Sequence, residues 1–203
     1  MSRDSIPRAA RFRDAFLQSY GRCRIAFKTP RAWDEVWPRW NELMMAQLIS
    51  SAALMPAKRS VLARTAHALG LSYWQGQPLT VDAVFSWKGA WFPISAAIEH
   101  ENDWRGFEAE VMKLFSIRCP LKVGITYARD SKIEACSKWL VSVLEGDFRD
   151  AVSRIGAEPP ATEYLFLIGG ESEDKDISCW YSLVFRAGDG PHGGTFVQLR
   201  ARS

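Results

Sequence analysis

Apolar positions first recur at helical spacing. Ala9, Phe12, Phe16 and Tyr20 form one stripe between about 9 and 20, which predicts a short amphipathic helix with arginines on its outer side. From Ala32 onward Trp33, Val36, Trp37, Trp40, Leu43, Met44 and Leu48 make a wider stripe, interrupted near its start by Pro38. Met55-Pro56 separates this helix from another over about 57 to 69, closed by Gly70. The period then shortens. Apolar runs from Ser72 to Trp87 and from Trp91 to His100 are rich in aromatic and branched residues and predict two strands paired as a hairpin, with a tight reversal at 86–91. Asn102-Asp103 reads as an N-cap for a helix carrying Trp104, Phe107, Val111, Leu114 and Phe115 and ending near Ile117. Leu121–Ala128 reads as a strand parallel to the Glu99 run, reached by a right-handed crossover. A long helix follows, capped at Asp130-Ser131 and ended by Gly156 and Pro159-Pro160. Strands at about 164–168, 179–185 and 195–199 complete the chain, and the glycine-rich stretch 188–194 joins the last two as a turn. The pattern is that of an α/β protein: a central mixed β-sheet flanked by helices, with an N-terminal helical segment. One domain spans 1–203, comprising a mainly helical part to 71, a core from 72 to 128, and a helix with C-terminal strands from 129.

The 203-residue length suits a core of ordinary size, and the net charge of +3 excludes a histone-like polycation. Its distribution is uneven. Residues 1–31 hold Arg3, Arg8, Arg11, Arg13, Arg22, Arg24, Lys28 and Arg31 against Asp4 and Asp14. Either this is a solvated face, or Arg8, Arg11 and Arg13, with Lys88 of the reversal, contact the phosphates of a nucleic acid. No run approaches the ~18 apolar residues of a membrane span, and the basic start lacks the apolar segment of a signal peptide. A cytoplasmic location without membrane association is therefore expected. Cys23, Cys119, Cys136 and Cys179 are scattered and lack metal-site spacing, as reduced core thiols are.

The candidate chemistry lies where the second apolar run ends. Side chains alternate along a strand, so Glu99 and Glu101 share a face with Ser95 and Ala97, while Ile98 and His100 point the other way. Asp82 lies in the preceding run. Carboxylates gathered there would repel one another unless a cation held them, and their hard oxygens suit Mg²⁺, which retains waters and accepts substrate phosphate. The alternative is solvated strand-end acids, with Asp82 paired to an arginine such as Arg105. His100 on the opposite face reads as a buried, hydrogen-bonded histidine. No G-x-S-x-G elbow, H-E-x-x-H pair or phosphate-binding G-x-x-x-x-G-K-[ST] loop occurs.

An acid in one strand, two acids one residue apart at the end of the next, then helix and strand: over residues 80–128 this order resembles the PD-(D/E)xK nuclease superfamily. The resemblance implies a restriction-endonuclease-like fold in which Asp82 matches the first aspartate, Glu99 the second acid, His100 the intervening residue and Glu101 the position usually held by lysine. It implies that Asp82, Glu99 and the backbone carbonyl of His100 hold Mg²⁺, or Mn²⁺ in its place, and that Glu101 binds metal or orients the attacking water. The motif lysine is absent; Lys88, Lys113 or Lys122 would have to supply the basic group. The implied activity is phosphodiester hydrolysis of nucleic acid, DNA above RNA, and two-strand cleavage would suit a homodimer. A non-catalytic module of the same fold, binding nucleic acid or a protein partner, is the alternative.

Overall fold

The computed structural model describes residues 8–26, 44, 60–75, 81–87, 92–155, 161–173, 177–186 and 195–199. The helix expected on the Trp33–Leu48 stripe (apart from Met44), the stretch 88–91 with Lys88 and the turn at 188–194 lie outside them. Seven strands form one sheet in the order of the sequence: β1 (Leu71–Gln75), β2 (Ala83–Trp87), β3 (Ile94–His100), β4 (Leu121–Arg129), β5 (Glu163–Glu171), β6 (Ile177–Arg186) and β7 (Thr195–Leu199). The pairs β3–β4 and β4–β5 are parallel and the rest antiparallel, so the sheet is mixed. One expectation is corrected here. The run 72–87 is two antiparallel strands, Leu71 pairing with Trp87 and Gln75 with Ala83, because Gly76 and Pro78 interrupt it. Asp82 thus sits at the entrance to a second strand of a three-strand meander, and the register still brings it to Glu99.

Four helices cover the sheet among the described residues: α1 (Arg8–Ala26), α2 (Val61–Ala68), α3 (Phe107–Phe115) and α4 (Ile133–Ile155). The crossovers β3–α3–β4 and β4–α4–β5 both step the same way across the sheet, so a common right-handed sense places α3 and α4 on one face. Phe107, Val111 and Leu114 of α3 and Cys136, Leu140 and Leu144 of α4 are buried there with Val84, Ala97, Tyr164 and Phe166. On the other face α1 and α2 bury Phe12, Phe16, Tyr20, Val61 and Leu62 against Phe85, Ile98, Val123 and Trp180. Edge-on contacts with Trp180, 5.0 Å from the Phe16 ring centroid and 5.2 Å from that of Tyr20, seat α1. With both faces covered, the inner strands β4 and β5 carry near-continuous apolar runs.

Local chemistry sets the boundaries. Ser60 caps α2 by accepting the Ala63 N–H at 3.2 Å, and Gly70, at φ +73°, closes it as the sequence predicts. Helix α3 starts at Phe107, later than the predicted cap at Asn102-Asp103, because Asp103 is used in a turn and accepts the Arg105 N–H at 3.1 Å. All four cysteines are free and buried. No described helix is long and apolar enough to cross a membrane.

Candidate active site

The last antiparallel partners of β2 and β3 are Ala83 and Ile98, so one step further the register sets Asp82 opposite Glu99, on the face that α3 covers. Directly opposed residues have Cβ atoms about 4.5–5.5 Å apart. The two carboxyl groups stand close enough to shift one another's titration, and Asp82 Oδ2 accepts the His100 N–H at 2.8 Å. One aspartate is therefore fixed by the backbone of the residue that follows Glu99.

Helix α3 completes the cluster. It runs over β3 and β4, with Phe107, Val111 and Leu114 directed at the sheet. Glu110 and Lys113, one turn apart beside that stripe, reach Glu99. Lys113 Nζ is 3.9 Å from Glu99 Oε1 and 2.5 Å from Glu110 Oε2, so Glu110 and Glu99 lie against the same ammonium. The Glu99 side chain is 1% exposed and that of Lys113 40%, so the acid is the floor of the site and the ammonium its mouth. Neither Glu99 oxygen meets an amide, hydroxyl or ammonium donor at hydrogen-bonding distance. A buried carboxylate in that state is costly, and it relieves the cost by holding a proton or attracting a cation. Burial first, then the neighbouring Glu110 carboxyl and the charge of Asp82, push the Glu99 carboxyl up to about 10. Burial raises the Asp82 carboxyl too, against the pull of the His100 N–H. Lys113 is raised chiefly by its hydrogen bond to Glu110.

The remaining candidates fall elsewhere. Glu101 does not join the acids: β3 ends at His100, the chain turns, and the Glu101 carboxylate folds back to accept the Asp103 N–H at 3.1 Å, close beneath Gly106. Strand alternation cannot be extended beyond the last strand residue, which is why the sequence pattern misplaces this side chain. The His100 imidazole lies on the opposite face, where Nε2 shares a 2.9 Å hydrogen bond with the Tyr127 hydroxyl and burial lowers its pKa to about 4. Only its backbone faces the acids. Arg105 lies by Asp103, 3.9 Å away, and not by Asp82. Lys122 is fully buried beside the end of α3, with Nζ 3.4 Å from the Phe115 carbonyl, 3.1 Å from the Tyr164 hydroxyl and over the Tyr164 ring. It supports a helix C-terminus. Arg8, Arg11 and Arg13 sit on α1, across the sheet from Glu99; Arg8 reaches the Ala161 carbonyl at 3.4 Å and Arg13 pairs with Asp14 at 3.1 Å. A phosphate held between those arginines and the acids would have to pass through the sheet.

Among the described residues, no three histidine, cysteine, aspartate or glutamate side chains surround a common point as metal ligands. The ligand set on offer is the Asp82–Glu99 pair with Glu110 beside it. That fits magnesium, which is commonly bound by one or two carboxylates together with waters and substrate phosphate, better than metals needing a closed protein cage.

No protein-family model and no curated protein matches the sequence. Among solved structures, the central domain of yeast acetyl-CoA carboxylase is similar at a TM-score of 0.42 and 10% identity, over 92% of this chain and 33% of that one. This chain therefore spans about a third of that structure's length, and the likeness bears on neither family nor activity.

Proposed function

We propose that the chain is a metal-dependent nuclease of the PD-(D/E)xK type, hydrolysing phosphodiester bonds in nucleic acid, with DNA the expected substrate. The observation that carries this reading is the buried Glu99 carboxyl, lacking any hydrogen-bond partner and set beside Asp82 and Glu110, with a half-exposed lysine at the rim. The strand, strand, helix, strand succession of β2, β3, α3 and β4 around it supports the reading.

Each residue has a task in this reading. Asp82 and Glu99 would hold Mg²⁺ or Mn²⁺, which when bound neutralises charge on the phosphoryl oxygens and acidifies water. The His100 N–H keeps Asp82 oriented. Lys113 takes the place of the lysine absent from position 101: its ammonium, steered by Glu110, is the cation at the mouth where a phosphate would arrive. Glu101 shapes the turn into α3. The basic face of α1 is left as a solvated surface or a separate, sequence-independent contact.

A non-catalytic module has one observation in its favour. Lys113 already supplies a positive charge 3.9 Å from Glu99, and in a decayed site that pairing would be permanent. Incubation with plasmid, linear and single-stranded DNA separates the two. The nuclease reading expects cutting with Mg²⁺ or Mn²⁺ that EDTA stops, lowered at least about a hundredfold by Lys113→Met but only a few-fold by Lys122→Met, whose ammonium faces Tyr164. Binding that no divalent ion converts into cutting supports the module.

A further inference from the structure

The backbone ladder between β2 and β3 ends at the Ala83–Ile98 pair, two residues before β3 itself ends. The His100 N–H still points to that side, and what it meets is Asp82 Oδ2 at 2.8 Å. In a strand the N–H and C=O of one residue project the same way, so the His100 carbonyl faces the acids too. Two groups of the site thus depend on where one backbone residue lies. That residue is the last of its strand, and strand ends open readily unless they are tied down. One tie is the Glu101 N–H, which donates to the Ile125 carbonyl of β4 at 2.9 Å. The other is the His100 side chain on the opposite face, whose Nε2 shares a 2.9 Å hydrogen bond with the Tyr127 hydroxyl while the two rings meet edge to face. Both rings are buried. Tyr127 is held in turn: a Cβ on Gly169 would lie 2.7 Å from its Cδ1, and Trp180 meets its ring edge-on at 5.8 Å.

We propose that the His100 imidazole and Tyr127 are a positioning pair for the metal site: the bond between them fixes the end of β3, and through it the Asp82 carboxylate and the His100 carbonyl. The proposal rests on the metal-dependent reading above for what the acids hold. Both rings lie on the α1 side of the sheet and act on the site only through the backbone. Burying two polar groups there is costly unless they bond to each other, and two apolar side chains would fill the same space without that cost. A hydrogen bond between them adds direction, which apolar packing lacks, and a satisfied buried pair rigidifies the backbone that carries it. Outer partners that hold ligands in place are commonly worth about 10–100-fold in metal affinity.

Calorimetric titration of the full chain with Mn²⁺, alongside melting curves, tests the pair. Tyr127→Phe keeps the ring and loses only the hydroxyl; it should raise the Mn²⁺ Kd about tenfold, as should His100→Leu. His100→Gln, whose amide can still meet the hydroxyl, should keep most of the affinity. The double variant His100→Leu/Tyr127→Phe separates positioning from stability. Tyr127→Phe alone strands a buried imidazole nitrogen and lowers Tm, whereas removing both partners restores most of the Tm. The strand end stays untied in the double variant, so its Mn²⁺ binding should remain about tenfold weak. In metal-free protein, amide hydrogen exchange followed by NMR should be at least about tenfold faster at His100 in Tyr127→Phe, and unchanged at Val123 in the middle of β4. Native affinity in Tyr127→Phe, affinity that recovers together with Tm in the double variant, or unchanged exchange at His100 would overturn the pairing while leaving the metal site. Native protein that takes up no Mn²⁺ would instead remove the metal reading, and the task given to the pair with it.

Discussion

Glu99→Gln should abolish metal-dependent cutting and at the same time make the protein more stable. The loss of activity follows from removing a carboxylate at the floor of the site, and groups that stabilise developing charge are commonly worth ~10²–10³ in rate. The gain in stability follows from the state of that carboxylate. In the unfolded chain Glu99 titrates near its ordinary value of 4.5, whereas burial and the neighbouring Glu110 and Asp82 raise it to about 10 in the folded one. Folded protein therefore holds a proton that unfolded protein releases, and stability falls as pH rises through the window between those values. At its steepest the loss is about 1.4 kcal/mol per pH unit. A glutamine has the same shape, no charge, and an amide that can donate to Asp82 and Glu110. Melting curves at pH 5 should be nearly the same for both proteins; by pH 8 the variant should lead by ~2 kcal/mol or more, about 4–8 °C in Tm for a chain of this size. Mg²⁺ should narrow the gap by raising the native Tm at pH 8, with little effect at pH 5 or on the variant. Were the acids solvated surface groups, Glu99→Gln would leave Tm unchanged at every pH.

This destabilising arrangement was half legible in the sequence. Asp82 and Glu99 could be paired because alternation and the order of elements suffice to face two strand residues toward each other. Glu110 and Lys113 could not, since a Glu and a Lys three apart on an amphipathic helix read as an ordinary exposed pair, and nothing local says that the helix will roll them over a neighbouring strand. Their position flanking the Phe107, Val111, Leu114 stripe is the signal that was available. Glu101 is misplaced by the sequence pattern for the opposite reason: strand alternation stops at His100, and the next residue lies in a turn that the Glu101 carboxylate itself helps to close. The α1 helix was recognisable from its stripe, but which face of a sheet a helix takes depends on the path of connections that lie far along the chain. Its arginines accordingly stand across the sheet from the acids they seemed to serve. The run expected as one strand holds two, β1 ending at Gln75 and β2 starting at Ala83, without disturbing the Asp82–Glu99 pairing, because the register is set on the β3 side.

What brings α3 over Glu99 is a missing side chain, and restoring it should show as much. Gly124 pairs with Glu99 on one side and Phe166 on the other, and a Cβ built there would lie 2.5 Å from Cζ of Phe107 and 2.7 Å from Cδ1 of Phe166. Both rings are fully buried, and they pack edge to face with centroids 6.2 Å apart, so neither has room to swing aside. Gly124→Ala should thus cost ~1–3 kcal/mol despite the better strand propensity of alanine, lowering Tm by roughly 2–12 °C. The damage to the site should be larger than the damage to the fold. Phe107 is the first residue of α3, and lifting it tilts the helix that carries Glu110 and Lys113, so cutting should fall about a hundredfold or more at temperatures where the variant remains folded. Phe107→Leu in the same chain shortens the ring that the new methyl meets and should recover part of both losses, giving a coupling of at least ~0.5 kcal/mol in a double-mutant cycle. Additive effects of the two substitutions would mean that α3 is held over Glu99 by other contacts, and that Gly124 is merely a tolerated gap in an apolar strand.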